Sequence, residues 1–382
     1  MTEKLFDKDS HLREFTATVL ECEEYLDKYS VVLDRTAFFY EGGGQASDRG
    51  FINNSAVLDV HISEGKIYHI MNSPLAVGST VTGTLDWERR FDFMQQHSGE
   101  HIISGVAHSI YGCENVGFHL SEDIVTLDFD KPLNQEQINI IEKKANDVVF
   151  KNVPFFAYYP DESTLSVLKY RSKKEIDGDI RIVEIKGTDM CACCAPHVNF
   201  SGEIGIIKLL GFETLRGGVR IEMVCGNRAL SDYKQKYDNI KKISSLLCVR
   251  QNETAVAVEK IQDNISQLKF EISKLKKQII EEKIKSFIPK TDVTAHFEED
   301  FTIKELQHLA DSLFKYHGGV RATFSKTDNG FYFTVCGEES RLLNFFNAFK
   351  TEFSVKGGGR GCMVQGTVIA EIDKILEFFE TF

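Results

Sequence analysis

The spacing of apolar positions divides the chain into four stretches. In residues 1–90, short runs at 15–22, 29–40, 56–71 and 80–86 carry β-branched and aromatic residues, separated by Gly, Asn and Ser-Pro breaks. That pattern predicts a small antiparallel β-barrel. In residues 91–230 the period changes. A helical pattern opens near Trp87 and runs through 89–111, and a second, entered after Pro132, puts Ile138, Ile141, Ala145, Val148 and Val149 on one face. Segments 179–185, 203–215 and 218–226 read as strands, so this stretch is α+β.

In residues 231–288 the pattern narrows. Val258, Ile261, Ile265, Leu268, Ile272, Leu275 and Ile279 alternate steps of three and four, a heptad seam and not a broad core face. An earlier helical run carries Tyr233, Tyr237, Ile240, Ile243 and Leu247, and the RQNET segment at 250–254 supplies a turn between them. A helical hairpin or coiled coil follows, as spacer or dimerisation element. Residues 289–382 form a small α/β domain. Its strands (320–327, 330–337) alternate with helices (301–316, 339–353, 368–382), and a Gly-rich insert at 355–367 precedes the last helix. The chain as a whole is α+β.

At 382 residues, two to four domains are expected, and a 42% hydrophobic, 27% charged composition describes a soluble globular protein. The charged N-terminal segment lacks an apolar signal core, and no run is long enough to span a membrane, so cytoplasmic residence is expected. The net charge of −12 argues against a surface that grips nucleic acid everywhere and leaves room only for a local basic patch. Three of the nine cysteines crowd into the run Cys191-Ala192-Cys193-Cys194, which points to metal or reactive chemistry and not to a disulfide framework.

His97 and His101 sit four apart in a helical pattern, so both imidazoles share one helix face, one turn apart. One such pair is a weak signal. A second pair, Cys193 and His197, repeats the step of four and raises the set to three imidazoles and a thiolate, which zinc accepts. Cys191 and Cys194 remain alternative thiols. The two pairs lie far apart in sequence, unlike the compact spacings of structural zinc modules. His61, His69, His108 and His119 read as core or surface residues. Segment 35–50 carries Gly42, Gly43 and Gly44 at a strand end, where glycine lets backbone amides approach a ligand; no P-loop lysine follows.

The segment TAFFYEGGGQASDRG, the QQHSGEHIISG segment and the CCAPHV…SGEIG segment, in that order, resemble the alanyl-tRNA editing family: the freestanding AlaX proteins, in their long form, and the editing domain of alanyl-tRNA synthetase. RGGVRIEMVCGNRAL is similar to the segment closing that domain. VKGGGRGCMVQG is similar to the Gly-rich motif of the DHH-associated domain that ends the synthetase. The resemblance implies a β-barrel domain at 1–90, a zinc-dependent editing domain at 91–230, a helical hairpin linker at 231–288 and a tRNA-binding domain at 289–382. The implied activity is zinc-dependent hydrolysis of serine, and often glycine, from tRNA wrongly charged for alanine. Neither an aminoacylation module nor a DHH motif is visible, so editing in trans is the expectation.

By position, the resemblance makes His97, His101, Cys193 and His197 the metal ligands. Thr36, Gln45 and the loop Gly42–Gly44 become substrate-binding residues. Two departures stand out: Cys193-Cys194-Ala195-Pro196-His197 replaces Cys-Gly-Gly-Thr-His, and Gly361-Cys362 replaces proline and an acidic residue. Glu100, between the two histidines, is a candidate base. Thr36 is the candidate contact for a serine hydroxyl. Arg321, Lys356, Gly357, Gly358, Gly359 and Arg360 are candidate tRNA contacts, and the helical hairpin or C-terminal domain offers a homodimer contact. The rival readings are a non-catalytic, zinc-stapled RNA-binding or dimerisation protein, and a deacylase for another aminoacyl-tRNA.

Overall fold

The computed structural model describes residues 1–172, 179–289 and 291–382, which divide into two compact units, Met1–Lys242 and Ile243–Phe382. Among these residues no helix is long and apolar enough to cross a membrane.

The first unit opens with β1 (Glu3–Lys4), β2 (Glu14–Tyr25), β3 (Lys28–Leu33) and β4 (Arg35–Thr36), followed by β5 (Gly50–Ile52), β6 (Ser55–Ser63), β7 (Lys66–Met71) and β8 (Thr80–Leu85). Six of these strands close a ring in the order β2-β3-β7-β6-β5-β8, every pair antiparallel. Alternation does the sorting. On β8, buried Val81, Gly83 and Leu85 alternate with exposed threonines, and Phe15, Ala17 and Val19 face inward from β2. The short β1 lies outside the ring and pairs in parallel with β4.

Next comes α1 (Trp87–Tyr111), the helix that carries the site. The Asp86 side chain caps its start by accepting the Arg89 amide, and Gly112 ends it in the left-handed conformation. Buried Arg90 locks α1 to the barrel: its guanidinium pairs with Asp48 and donates to the carbonyls of Ser10 and Ala37.

The rest of this unit comprises β9 (Asn115–Leu120), β10 (Val125–Phe129), α2 (Gln135–Lys151), β11 (Phe155–Tyr158), α3 (Glu162–Leu165), β12 (Ile182–Ile185), β13 (Asp189–Ala192), β14 (Ile207–Leu215) and β15 (Gly218–Cys225). Two antiparallel sheets result, in the orders β14-β15-β10-β9 and β11-β12-β13. Apolar residues of α1, α2 and the four-stranded sheet share one core, including Phe93, Ile102, Leu127, Ile141 and Ile221. Gly105 lets α1 approach β13. A Cβ there would lie 2.6 Å from the Thr188 carbonyl oxygen and 2.7 Å from Asp189 Cβ, closer than packing permits. Helix α4 (Gly226–Leu247) follows, and its first seventeen residues belong to this unit.

The second unit contains α5 (Thr254–Ser286), β16 (Val293–Glu298), α6 (Ile303–His317), β17 (Val320–Thr327), β18 (Gly330–Cys336), α7 (Glu339–Glu352), β19 (Ser354–Arg360), β20 (Met363–Ile369) and α8 (Ile372–Thr381). Its five-stranded sheet runs β16-β17-β18-β20-β19, antiparallel except for the parallel β16–β17 pair. Phenylalanines dominate its core, with Phe324, Phe333, Phe345 and Phe349 fully buried. The Gly-rich segment expected as an insert is instead a hairpin, β19 and β20, turning at Gly361 with positive φ. β20 takes residues up to Ile369, so the final helix starts at Ile372 and not at 368.

The placement of Arg321 corrects the expectation that it meets phosphate. It lies on β17 at 1% exposure, donating to the carbonyls of Thr291 and His317 and to the Thr294 hydroxyl. A guanidinium held inside the domain by its own backbone is a structural tie and not a surface contact. Lys356 and Arg360 are exposed on the edge strand β19, with Gly357, Gly358 and Gly359 between them.

Candidate metal centre

His97 and His101 project from one face of α1, with ring centroids 5.5 Å apart. Cys193 and His197 follow β13, and the His197 ring lies 4.9 Å from that of His97 and 4.6 Å from that of His101. One ligand atom from each of the four lies within 4.8 Å of the others. Cys193 Sγ is 3.4 Å from His197 Nε2 and 3.6 Å from His97 Nε2. Donors bonded tetrahedrally to one ion at zinc distances stand roughly 3.3–3.8 Å apart, and these fit.

Each ring is oriented from behind. His97 Nδ1 is 2.9 Å from Gln45 Oε1, His101 Nδ1 is 3.2 Å from Asp189 Oδ2, and His197 Nδ1 is 3.0 Å from Ser98 Oγ. Gln45 Oε1 and the Asp189 carboxylate only accept, so those Nδ1 atoms carry protons, and the His97 Nε2 lone pair turns toward Cys193. Asp189 is itself gripped by Arg171 at 2.8 and 2.7 Å. Burial disfavours the Asp189 charge, but the bonds from His101 and Arg171 outweigh it and hold its pKa below the usual range.

The surroundings of His101 are negative. Burial opposes its protonation, yet Asp189, Glu100 and Cys191 together raise its pKa above the ordinary imidazole value. Such a setting favours a cation. Glu100 is buried; its Oε1 accepts 2.7 Å bonds from the Ser104 hydroxyl and the Asn115 amide, and its Oε2 lies 3.8 Å from His101 Nε2. Of the three clustered cysteines, Cys193 joins the three histidines, whereas Cys191 falls in a second group with His101 and Asp189. The Cys194 thiol, its pKa pushed up to about 11 by burial, approaches the glycine loop.

These groups sit in a cleft of about 570 Å³ lined by His97, His101, Cys193, Gly43, Gly44 and Phe118, with Lys4, Tyr40, Tyr159 and Arg181 also on its walls. Gly44 has φ +81°, and a Cβ there would lie 2.7 Å from the Phe118 ring, so only glycine closes this wall.

A family model described as "Threonyl and Alanyl tRNA synthetase second additional domain" matches residues 180–222, the stretch that carries Cys193 and His197. Another, "tRNA synthetases class II (A)", matches residues 8–89. The alanyl-tRNA editing protein AlaX-L of Pyrococcus horikoshii is 30% identical over 99% of this chain and 97% of its own length. The chain belongs to the alanyl-tRNA editing proteins. The rat alanyl-tRNA editing protein Aarsd1 is 34% identical over 68% of this chain and 67% of its own. An alanine–tRNA ligase of Ignicoccus hospitalis is 30% identical over 75% of this chain but only 33% of its own, so the shared region is one part of that larger protein.

Within this family frame, Gln45 stands behind His97, and Gly43 and Gly44 line the cleft; Gly42 pairs with Gln45 through backbone hydrogen bonds at the loop's base. Thr36 lies elsewhere. It is fully buried, its hydroxyl 2.9 Å from His69 Nε2 and accepting the Phe38 amide, and it does not line the cleft. Ser98, Arg171 and Asp189 were not visible as site residues in the sequence. Asp189 precedes Cys191 by two, on one face of a strand, which is the only local signal among them.

Proposed function

We propose that the chain hydrolyses the ester of tRNA wrongly charged with serine, or with glycine, in place of alanine, with zinc held by His97, His101, Cys193 and His197. The observation that carries this is the convergence of one ring nitrogen from each of three histidines with the Cys193 thiol, beside a cleft lined by His97, His101 and Cys193, while each Nδ1 has a hydrogen-bond partner of its own. Bound there, zinc supplies Lewis-acid polarisation at the ester. The chain's own groups do the rest. Glu100, held by Ser104 and Asn115 with its second oxygen toward His101, accepts the proton of the attacking water. Water oxygen adds to the carbonyl carbon, the bond to the ribose oxygen breaks, and the proton passes to that oxygen.

Selectivity requires a polar partner for the serine hydroxyl, since an apolar pocket rejects a hydroxyl poorly. Gln45 offers one: its Oε1 serves His97, and its buried Nε2 has no hydrogen-bond partner among the described residues. Gln45→Glu keeps an acceptor for His97 and removes that donor, so the preference for seryl over alanyl ester should fall about tenfold. A deacylation panel across tRNA charged with serine, glycine, alanine and other amino acids tests the whole reading; failure to cleave the seryl ester refutes it.

Lys356 and Arg360 on β19 are proposed to contact the tRNA backbone. Reversing both charges should weaken tRNA binding and flatten its salt dependence. A second copy of the chain is proposed to cover the seam on α5. Val258, Ile265, Ile272 and Ile279 fill one seam position and Ile261, Leu268 and Leu275 the other, the β-branched and leucine-rich pattern of parallel two-stranded coils.

A further inference from the structure

Among the described residues Lys4 has no carboxylate partner, although the chain is acidic. The residue lies on β1, which is pinned at two points to residues 33–36: Lys4 pairs with Thr36 on β4, and the Thr2 hydroxyl donates to the Leu33 carbonyl. Its ammonium stands 5.4 Å from the Tyr40 ring centroid, and the side chain lines the same cleft as His97, His101 and Cys193.

The neighbouring cations are all engaged. Lys8 holds Glu3 at 2.6 Å, and Arg35 holds Asp34 at 3.3 Å. Arg181, also on the cleft wall, donates to the carbonyls of Cys193 and Ala195 and lies 3.3 Å from Asp7. Lys4 forms no ion pair among the described residues, although Asp179 lines the cleft as well. An ammonium held over an aromatic face at the wall of a cleft, with no ion-pair partner among the described residues, fits an external anion.

Given the reading that the ester sits at the metal-ligand cluster, the substrate brings its own anion into this cleft. The terminal nucleotide of a tRNA carries a phosphodiester on the side of the sugar away from the ester. We propose that Lys4 receives that phosphodiester and so sets where the 3′ end seats. Arg181 does not share this role, because its guanidinium holds the turn that bears Cys193. Lys4 binds substrate and takes no part in bond breaking.

The test compares two substrates and two variants of the full chain loaded with zinc. The substrates are seryl-tRNA and a seryl ester of adenosine, which has no phosphate; the variants are Lys4→Gln and Lys4→Arg. For Lys4→Gln, KM on seryl-tRNA should rise about tenfold with kcat nearly unchanged. Its slope of log affinity against log salt should shrink by about 0.7, the share of one single-strand phosphate contact. Hydrolysis of the adenosine ester should not change, and Lys4→Arg should restore the tRNA value. A Lys4→Gln enzyme that treats seryl-tRNA as the parent does overturns the inference, as does one weakened equally on both esters, the mark of a Lys4–Tyr40 contact that is only structural. If the parent chain cleaves neither ester, the deacylase reading falls and the Lys4 assignment falls with it.

Discussion

Two long helices break the usual rule of a polar outer and an apolar inner face, and they break it in opposite directions. Helix α1 buries polar residues: Arg90, Gln95, Gln96, His97, Ser98, Glu100, His101 and Ser104 are all shielded from solvent. Helix α5 exposes apolar ones: its seven seam residues from Val258 to Ile279 are each 41–57% exposed, and only Thr254 and Ile280 are buried along its length. Burying a polar group is costly unless it finds a partner, and the buried groups of α1 find theirs on other elements, so burial there marks chemistry. Exposing an apolar stripe is also costly, and nothing within α5 compensates for it, which is the ground for proposing that a second copy covers it. Departure from amphipathicity is the common signal; its direction tells site from interface.

The comparison breaks most visibly at α1. His101→Ala should reduce kcat/KM for seryl-tRNA by more than about 100-fold, because removing a ligand must exceed the 10- to 100-fold typical of removing its support. Bound zinc should fall in parallel, measured by metal analysis of the purified protein. On α5, Ile265→Glu combined with Ile272→Glu places charges in the seam. The proposed dimer should weaken by at least about 100-fold, since burial of each isoleucine is worth about 1.5–3 kcal/mol, while hydrolysis of a small ester is retained. Sedimentation equilibrium reads the first effect; an unchanged monomer–dimer balance removes the association half of the comparison.

Asp189→Asn sharpens the chemical half, for it leaves all four donors in place. Zinc affinity should fall about 10- to 100-fold by chelator competition, with the protein still folded. An unaltered affinity would mean that the carboxylate behind His101 serves only Arg171.

How much of this was legible beforehand depends on sequence distance. The His97/His101 pair is readable because both residues lie on one helix, where a step of four is a step along one face. The α5 seam is readable for the same reason. The supports are not: Ser98 meets His197 across 99 residues, and Asp189 meets His101 across 88. Periodicity carries no information about contacts between separate elements. Charge misleads in a similar way. Arg321 looks like a surface cation, yet backbone carbonyls hold it inside the second unit. Thr36 belongs to the expected segment but faces His69. The glycines of 357–359 suggested a loop, although an edge strand accommodates them.

A smaller effect separates the histidines of the site from His69, in the barrel core, and His296, half-buried in the second unit. Burial holds the pKa of His69, in the barrel, at about 4, and that of His296, in the second unit, at about 4. Both values lie below the ordinary 6.5, so between pH 6.5 and 4 the unfolded chain binds more protons than the folded one. Stability from these two groups is therefore complete above pH 6.5 and is lost as pH falls toward 4, in both units together. His69→Gln and His296→Gln should each flatten that slope in denaturant titrations at several pH values.

The most direct test of the central claim is to measure zinc content, seryl-tRNA hydrolysis and circular dichroism on one preparation before chelation, after it, and after zinc is restored. The expected result is one zinc per chain, loss of hydrolysis on chelation with secondary structure intact, and recovery on adding zinc back. Hydrolysis that persists in the zinc-free protein, or a first unit that unfolds when zinc is withdrawn, would contradict it.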